Sequence, residues 1–490
     1  MARPRGNKRR GARDYARARG TRRVGPAWKT SATTCRACGG FPHVSAFRAP
    51  VPNLLPTPEP ERPLAVGLPL HHAPAPPLTD AALRAQLVPL RRHLHQHPEV
   101  GYQEHDTARH VQGWLAERGF EVRGPLAGTG FYVEIAGALP GPTIGYRTEL
   151  DALPMEDQKD VPYASKRPGA AHLCGHDAHM AVACGVATLL QQRKADLHGT
   201  VRVFFQPNEE SSPSGAAAMI EAGVLDGLAA AYCIHVDPSL STGRFGVKRG
   251  ALTAAATPFV VRIQSGQAGH SARPHETVDT VWLAVQILQQ FYGLAGRVHD
   301  ARQTAVITAC TFRAGEAMNV IPDRVEFGGT LRCASREGFK RLRQKMRKAA
   351  GALGALYGAD VEVDFVGPAL PPVVNDDDCV DRLRRSVETR FGKEAVRELA
   401  VPSMGGEDFA FYTEHVPAAL LRVGTACSPD TRFPLHHTRF DVDESALPMA
   451  ARLMADVLAL DLEERHALAA VAQDEAAAQG DAVGTGAVAA

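Results

Sequence analysis

Short apolar runs alternate with helical segments from about residue 122 to 250, and this alternation constrains the fold more than any other feature. "TIGYRTEL", "TVRVFFQP" and "AAAYCIHV" read as strands, while "HMAVACGVATLLQQRK" and "SGAAAMIEAGVL" between them read as helices. A βαβα order of this kind predicts a mainly parallel sheet covered by helices. Two helices precede it: "LTDAALRAQLVPLRRHLHQHPEVGYQE", which Thr79 or Asp80 can cap, and "TARHVQGWLAERGFEV", which Gly119 stops.

Near residue 252 the grammar changes. "TPFVVRIQS", "QTAVITACTFRAG" and "RVEFGGTLRC" alternate as half-exposed strands do, with helical segments between them. From about 368 the α/β style resumes with "DRLRRSVETRFG", "ALLRVGT" and "ALPMAARLMADVLALDLE". The expected fold class is therefore α/β: a mainly parallel catalytic domain in two parts, 77–251 and 368–463, interrupted by a smaller α+β insert at 252–367. At 490 residues the chain exceeds what one core usually serves, which agrees with more than one domain.

The ends read differently. Residues 1–76 are basic and then Pro-rich, without helical or strand period, and are expected to be disordered. Asp14 is the only acid in the first 36 residues, so the net charge of +2 conceals an uneven distribution. Such a tail could bind nucleic acid, target the chain, or stand upstream of the true start. The last reading is favoured, and no nucleic-acid partner is expected. Cys35 and Cys38 form a lone CxxC that lacks the second pair a structural zinc site needs. Residues 464–490 read as an Ala-rich disordered spacer. Nine scattered cysteines, no apolar run of about 18 residues and no signal-like apolar segment lead to the expectation of a cytoplasmic protein with no membrane association.

Candidate chemistry gathers at strand ends. Glu149 and Asp151 follow one apolar run, Glu209 and Glu210 a second, and His235 ends a third. In open α/β sheets the carboxyl ends of strands are where ligands bind. "HLCGHDAHM", at 172–180, falls in the loop before a helix and can reach the same edge. Cys174 and His176, two apart, can bind one ion, and thiolate, imidazole and carboxylate donors together suit zinc or manganese. Adjacent side chains in extended backbone point opposite ways, so one of Glu209 and Glu210 can bind metal while the other faces substrate. A metal lowers the pKa of water to about 7 and a nearby carboxylate takes its proton, which is hydrolytic chemistry. The rival reading, a nucleophilic Cys174 with a histidine base, leaves Glu209, Glu210 and His235 without a task.

The ordered motifs "RRHLHQHPEVGYQE", "YRTELDALP", "HLCGHDAHMA", "FFQPNEE", "IHVDP", "AGHSARPHE", "NVIPD", "MGGEDF" and "PLHHTRFDVDE" span about 80–460. Together they make the chain resemble the co-catalytic metal amidohydrolases typified by hippurate hydrolase, indole-acetyl-amino-acid hydrolases and N-acetyl-diaminopimelate deacetylases. The wider clan includes aminoacylases and glutamate carboxypeptidases. The resemblance implies that the insert is a lid and dimerisation domain. It implies two divalent metal ions per subunit held by Cys174, His176, Glu210, His235 and His436, with Cys174 bridging them and Glu209 as general base. It also implies that His270 stabilises the oxyanion, usually in the partner subunit's site, that Asn319 holds the substrate carbonyl, and that Arg332 pairs with the substrate α-carboxylate. The expected substrate is an N-acyl or N-aroyl amino acid, cleaved to a carboxylic acid and a free amino acid. The alternatives are a dipeptidase or carboxypeptidase on the same scaffold, or a non-catalytic metal-dependent binding protein. Three departures from the family pattern stand out: Thr148 and Glu149 in place of Ala and Asp, Asn208 in place of Ala, and Leu173 in place of Ala.

Overall fold

The computed structural model describes residues 78–484, with side chains through 473. The tail at 1–76, with Cys35 and Cys38, lies outside the described residues. Thr79 caps the first helix, Asp80–Gln96, by accepting the Ala82 N–H.

The larger sheet has eight strands in the order Val122–Leu126, Gly130–Ala136, His198–Gln206, Leu139–Glu149, Leu228–Ser241, Ala418–Ala426, Phe245–Val247 and Val396–Glu398. Its four central strands run parallel. Antiparallel neighbours appear toward both edges, so the sheet is mixed but mainly parallel. Both faces are covered, as the sequence of each strand shows. Val203 and Phe205 pack into one hydrophobic core while Phe204 between them packs into another. Tyr232 and Ile234 alternate with Ala231 and Cys233 in the same way. The helices Asp80–Gln96, His176–Gln192 and Ala446–Gly484 pack together over the first face.

Leu139–Glu149 is flanked by His198–Gln206 on one side and Leu228–Ser241 on the other. The chain therefore leaves this strand in one direction and later returns to its opposite side. That is a topological switch point, where a crevice opens at the carboxyl ends of the strands.

Residues between 255 and 365 build a second, antiparallel sheet in the order Ala305–Ala314, Arg324–Cys333, Ala255–Gln264 and Asp360–Phe365. Helices Thr280–Arg297 and Arg336–Tyr357 cover it, and Phe259, Val261, Phe291, Phe327 and Met346 belong to a core separate from those of the larger sheet. A two-stranded ribbon, Gly269–His270 with Val320–Ile321, projects beside this unit.

One expectation needs correction. The closing helix continues to Gly484, through residues read from sequence as spacer after 464. "LAAVAQDEAAAQ" lacks an apolar stripe, but it is dominated by alanine and contains no proline, so intrinsic propensity carries the helix onward.

Candidate active site

Three chain segments leave the central strands at the switch point and meet the loop at 172–176. Gly175 makes that meeting possible. Its φ of +88° lies in the left-handed region, and a Cβ there would stand 2.4 Å from Val236 Cγ2. The helix His176–Gln192 starts directly after it. Behind the loop, buried Arg91 donates to Asp177 at 2.7 Å and to Asp441 at 2.7 Å, and His95 Nδ1 lies 2.7 Å from Asp177. This network ties the first helix to the loop and fixes the helix start.

The donor atoms of Cys174, His176 and His235 lie within 4.8 Å of one another, and so do those of Cys174, Glu210 and His436. The two triads share Cys174. His176 Nδ1 is 2.9 Å from the Asp151 carbonyl oxygen and 3.2 Å from Asp151 Oδ1, which leaves Nε2 facing inward. The second Asp151 oxygen accepts the Glu210 N–H at 2.9 Å. His235 Nδ1 is 2.8 Å from its neighbour's carbonyl, Val236 O, which likewise leaves Nε2 for the site. Holding one ring nitrogen so that the other is presented is the usual support for a metal-binding histidine.

Of the two adjacent histidines, His436 places Nε2 3.3 Å from Glu210 Oε1, whereas His437 stacks on Phe433. His436 has a φ of +65°, uncommon for a side-chain-bearing residue, and its N–H donates to Leu173 O at 2.8 Å. The two candidate loops are therefore tied by backbone.

The donor set fits a pair of divalent cations. His176 Nε2 is buried without a hydrogen-bond partner among the described residues, a costly arrangement that a cation would relieve. Burial, reinforced by Glu210, pushes the Cys174 thiol well up, so a thiolate at this position calls for a cation beside it. The same shift weakens the nucleophilic-cysteine reading. Burial and Arg422 hold His235, 3.5 Å from the sulfur, well below the usual imidazole range, so His235 is not set to pair with a thiolate as an imidazolium.

Glu209 and Glu210 both line one cleft, and both carboxylates approach His176 Nε2, at 3.9 and 4.0 Å. Glu209 Oε1 accepts the Asp408 N–H at 3.3 Å, and its other oxygen is 3.9 Å from His176 Nε2. Burial, with Glu407 and Glu210 close by, pushes the Glu209 carboxyl well above the ordinary range, a setting suited to a group that accepts and returns a proton. Asn208, the departure beside it, has a φ of +45°, which asparagine tolerates well. Its side chain donates to Ser211 O and Pro213 O, bracing the turn.

Several participants were not assigned from sequence. Fully buried Arg147 donates to Glu149, to Asp408 at 2.6 Å and to Gln206 at 2.9 Å. Burial opposes ionisation of Glu149, but Arg147 and His179 outweigh it and hold the carboxyl well below its usual range. Glu149 Oε2 lies 2.9 Å from His179 Nδ1, and His179 Nε2 accepts the Val236 N–H at 3.0 Å. His179 therefore links Glu149 to the backbone next to His235. "MGGEDF" supplies Glu407 and Asp408, whose placement beside Glu209 only the folded chain reveals. Burial, partly offset by Arg147, pushes Asp408 up to about 7.

The cleft holds about 480 Å³ and is lined by Cys174, Glu209, Glu210, His235, Arg332 and His436, among others. Arg332 reaches it from the smaller domain and donates to Met404 O at 2.7 Å. His270 and Asn319 do not line it. Both are exposed, His270 on the two-stranded ribbon and Asn319 in the turn just before its second strand, where Ser271 N–H donates to Asn319 O at 3.1 Å.

Known proteins resemble this chain in sequence and in fold. The chain is 38% identical over 387 residues to N-acetylcysteine deacetylase of Bacillus subtilis (strain 168), covering 79% of this chain and 99% of that one. It is 33% identical over 371 residues to thermostable carboxypeptidase 1 of Saccharolobus solfataricus, covering 74% and 92% respectively. A crystal structure of the Bacillus subtilis YXEP protein, described as a dinuclear metal binding peptidase, superposes with a TM-score of 0.69 at 35% identity, covering 79% of this chain and 99% of that one. Residues 145–460 match a family model that takes in the cleft from Glu149 to His436. By sequence and fold, the chain belongs to Peptidase family M20/M25/M40.

Proposed function

We propose that the protein hydrolyses the amide bond of N-acyl or N-aroyl amino acids, using two divalent cations held by Cys174, His176, Glu210, His235 and His436. The observation that carries this reading is the pair of donor triads sharing Cys174, with Glu209 beside them. When bound, the cations supply Lewis-acid polarisation of the carbonyl and acidify water. Glu209 takes a proton from the attacking water and delivers it to the amide nitrogen as the C–N bond breaks, releasing a carboxylic acid and an amino acid. Arg332 pairs with the substrate α-carboxylate, the planar anion that a guanidinium fork matches. The mixed donor set suits zinc or manganese.

His270 and Asn319 are assigned to the oxyanion and the substrate carbonyl of a partner subunit's site, in a homodimer formed through the smaller domain. Supporting this, Trp282, Val285 and Tyr292 are exposed on one helix of that domain, and Val306 and Phe312 are exposed on its edge strand. The seven described cysteines are all free, which suits a reducing compartment such as the cytoplasm. No helix among the described residues is long and apolar enough to cross a membrane.

The Saccharolobus relative favours carboxypeptidase action as a second reading, since a terminal carboxylate would meet the same Arg332. The test is elemental analysis together with product release on N-acetyl and N-benzoyl amino acids and on dipeptides. About two ions per subunit with N-acyl turnover supports the first reading, and turnover on dipeptides alone supports the second. A folded protein that binds neither zinc nor manganese overturns both.

A further inference from the structure

Arg422 lines the cleft and forms no ion pair among the described residues. It pairs in register with His235 on the neighbouring parallel strand, so the two side chains share one face of the sheet. It is half-buried, lines the 480 Å³ cleft, and makes no side-chain hydrogen bond or ion pair among the described residues. Arg422 also lines an adjoining cavity of about 530 Å³, and Ser403 and Leu435 border both spaces. Leu252 and Leu399 give this second space apolar walls. The acid in its lining, Asp237, accepts the Ser239 N–H and hydroxyl at Oδ1 and makes no ion pair with Arg422 among the described residues.

A half-buried guanidinium without an ion pair among the described residues is a ready partner for an anionic group of a ligand. Arg332 and Arg422 come from different domains, with the candidate metal donors and Glu209 in the same cleft. A substrate with one carboxylate on each side of its reacting bond would satisfy both.

We propose that Arg422 forms an anion subsite for the acyl half of the substrate, so that the preferred substrates are amino acids acylated by a short dicarboxylic acid. The chain of the acyl group would follow the apolar wall, and its terminal carboxylate would meet Arg422. The proposal rests on the amidohydrolase reading above and narrows it to a substrate class.

The test uses the full-length metal-loaded protein and three ligands: N-succinyl-leucine, N-acetyl-leucine and N-acetyl-glutamate. The third carries its second carboxylate on the amino-acid side. A charge-assisted contact of this kind is worth about tenfold or more. The expected result is kcat/KM at least about tenfold higher for N-succinyl-leucine than for either other compound, with the ratio falling near one in Arg422→Met and partly kept in Arg422→Lys. A wild-type preference for N-acetyl-glutamate, no preference, or a preference that Arg422→Met leaves intact overturns the proposal. Calorimetric titration of the same ligands into Glu209→Gln provides a readout that does not need turnover. Tighter binding of N-succinyl-leucine that is lost with Arg422, in a protein that cleaves no amide, would sustain the anion subsite while the hydrolase reading fails. Equal binding of all three would overturn the subsite, whatever the activity.

Discussion

The sheet edge and the projecting ribbon contribute functional residues in contrasting ways. At the sheet edge three of the candidate groups are held by a second residue: His176 by Asp151, His235 by the Val236 carbonyl, Glu210 by the other oxygen of Asp151. On the ribbon His270 is exposed, and its Nδ1 accepts only the Ala272 N–H at 3.1 Å. Side chains with buried supports are pre-organised and lose little freedom when ligand arrives, whereas an exposed imidazole acquires its geometry only on contact. The edge is complete within one chain. The ribbon makes sense as a part offered to something else.

The sharpest way to break that contrast is to remove chemistry from the edge while leaving its donors. Glu209→Gln should lower kcat by about 10³-fold, within the range for a general base, while metal content by elemental analysis stays at the wild-type level. Simultaneous loss of metal would place Glu209 among the ligands and undo its assignment as base. Next in size is His270→Ala, with an expected fall of about 10²-fold, typical of a lost oxyanion donor. Mixing that variant with Glu209→Gln after subunit exchange then discriminates directly. If His270 acts across a dimer, half the molecules are mixed dimers with one intact site each, and about a quarter of the wild-type activity should return. No recovery despite demonstrated exchange would place His270 in its own subunit's site.

The same division explains what could be read from sequence. Glu149, Asp151, Glu209, Glu210 and His235 were legible because each ends or follows an apolar run in a parallel strand, and such strands deliver their ends to one crevice, although the strand that carries His235 runs on to Ser241. The change of pattern near 252 was legible because period-2 alternation signals an antiparallel, half-covered sheet. Arg147 and Arg422 were not, since an arginine within a strand looks like any solvent-facing residue until its neighbours are known. The Glu149–His179–Val236 link joins three distant segments, and nothing in local spacing announces it. "MGGEDF" was recognised as a motif, but its acids gained a neighbour in Glu209 only once the chain had folded. The closing helix was misread beyond 464 because the reading relied on amphipathic period where alanine propensity suffices.

The Glu149–His179–Val236 link offers a finer test of the edge. His179 touches no substrate in the proposed mechanism and acts by holding the backbone beside His235, so its loss should appear in metal affinity before it appears in chemistry. His179→Ala is expected to weaken metal binding by about 10- to 100-fold, the usual cost of removing a support behind a ligand. With saturating metal, kcat should recover most of its value. A kcat that stays low at full occupancy would instead make His179 part of the reaction. Glu149→Asp restores the residue type common in the family, and a shorter carboxylate must draw Arg147 and His179 inward or release one of them. Metal titration of that variant should show a smaller loss than His179→Ala.

The smallest expected effect concerns the first helix, outside the cleft lining, and bears on the acid limb of every assay. His93, His97 and His110 form a run of adjacent rings, with His93 stacked on His110 at 3.7 Å and 4.5 Å from His97. Burial, with His110, His97 and Lys166 nearby, lowers His93 to about 4. The folded chain thus holds this imidazole neutral while the unfolded chain protonates it near pH 6.5. Between those values the unfolded state binds more protons, so stability falls as pH drops from about 6.5 to 4 and levels off below. His93→Gln should leave Tm near neutrality almost unchanged and raise it at pH 5 by on the order of one degree, a small shift because the group is largely solvent-screened. If the variant and wild type show the same acid limb, the ring stack is not a source of acid lability. Loss of activity below pH 6 would then have to be sought in the buried groups of the sheet edge.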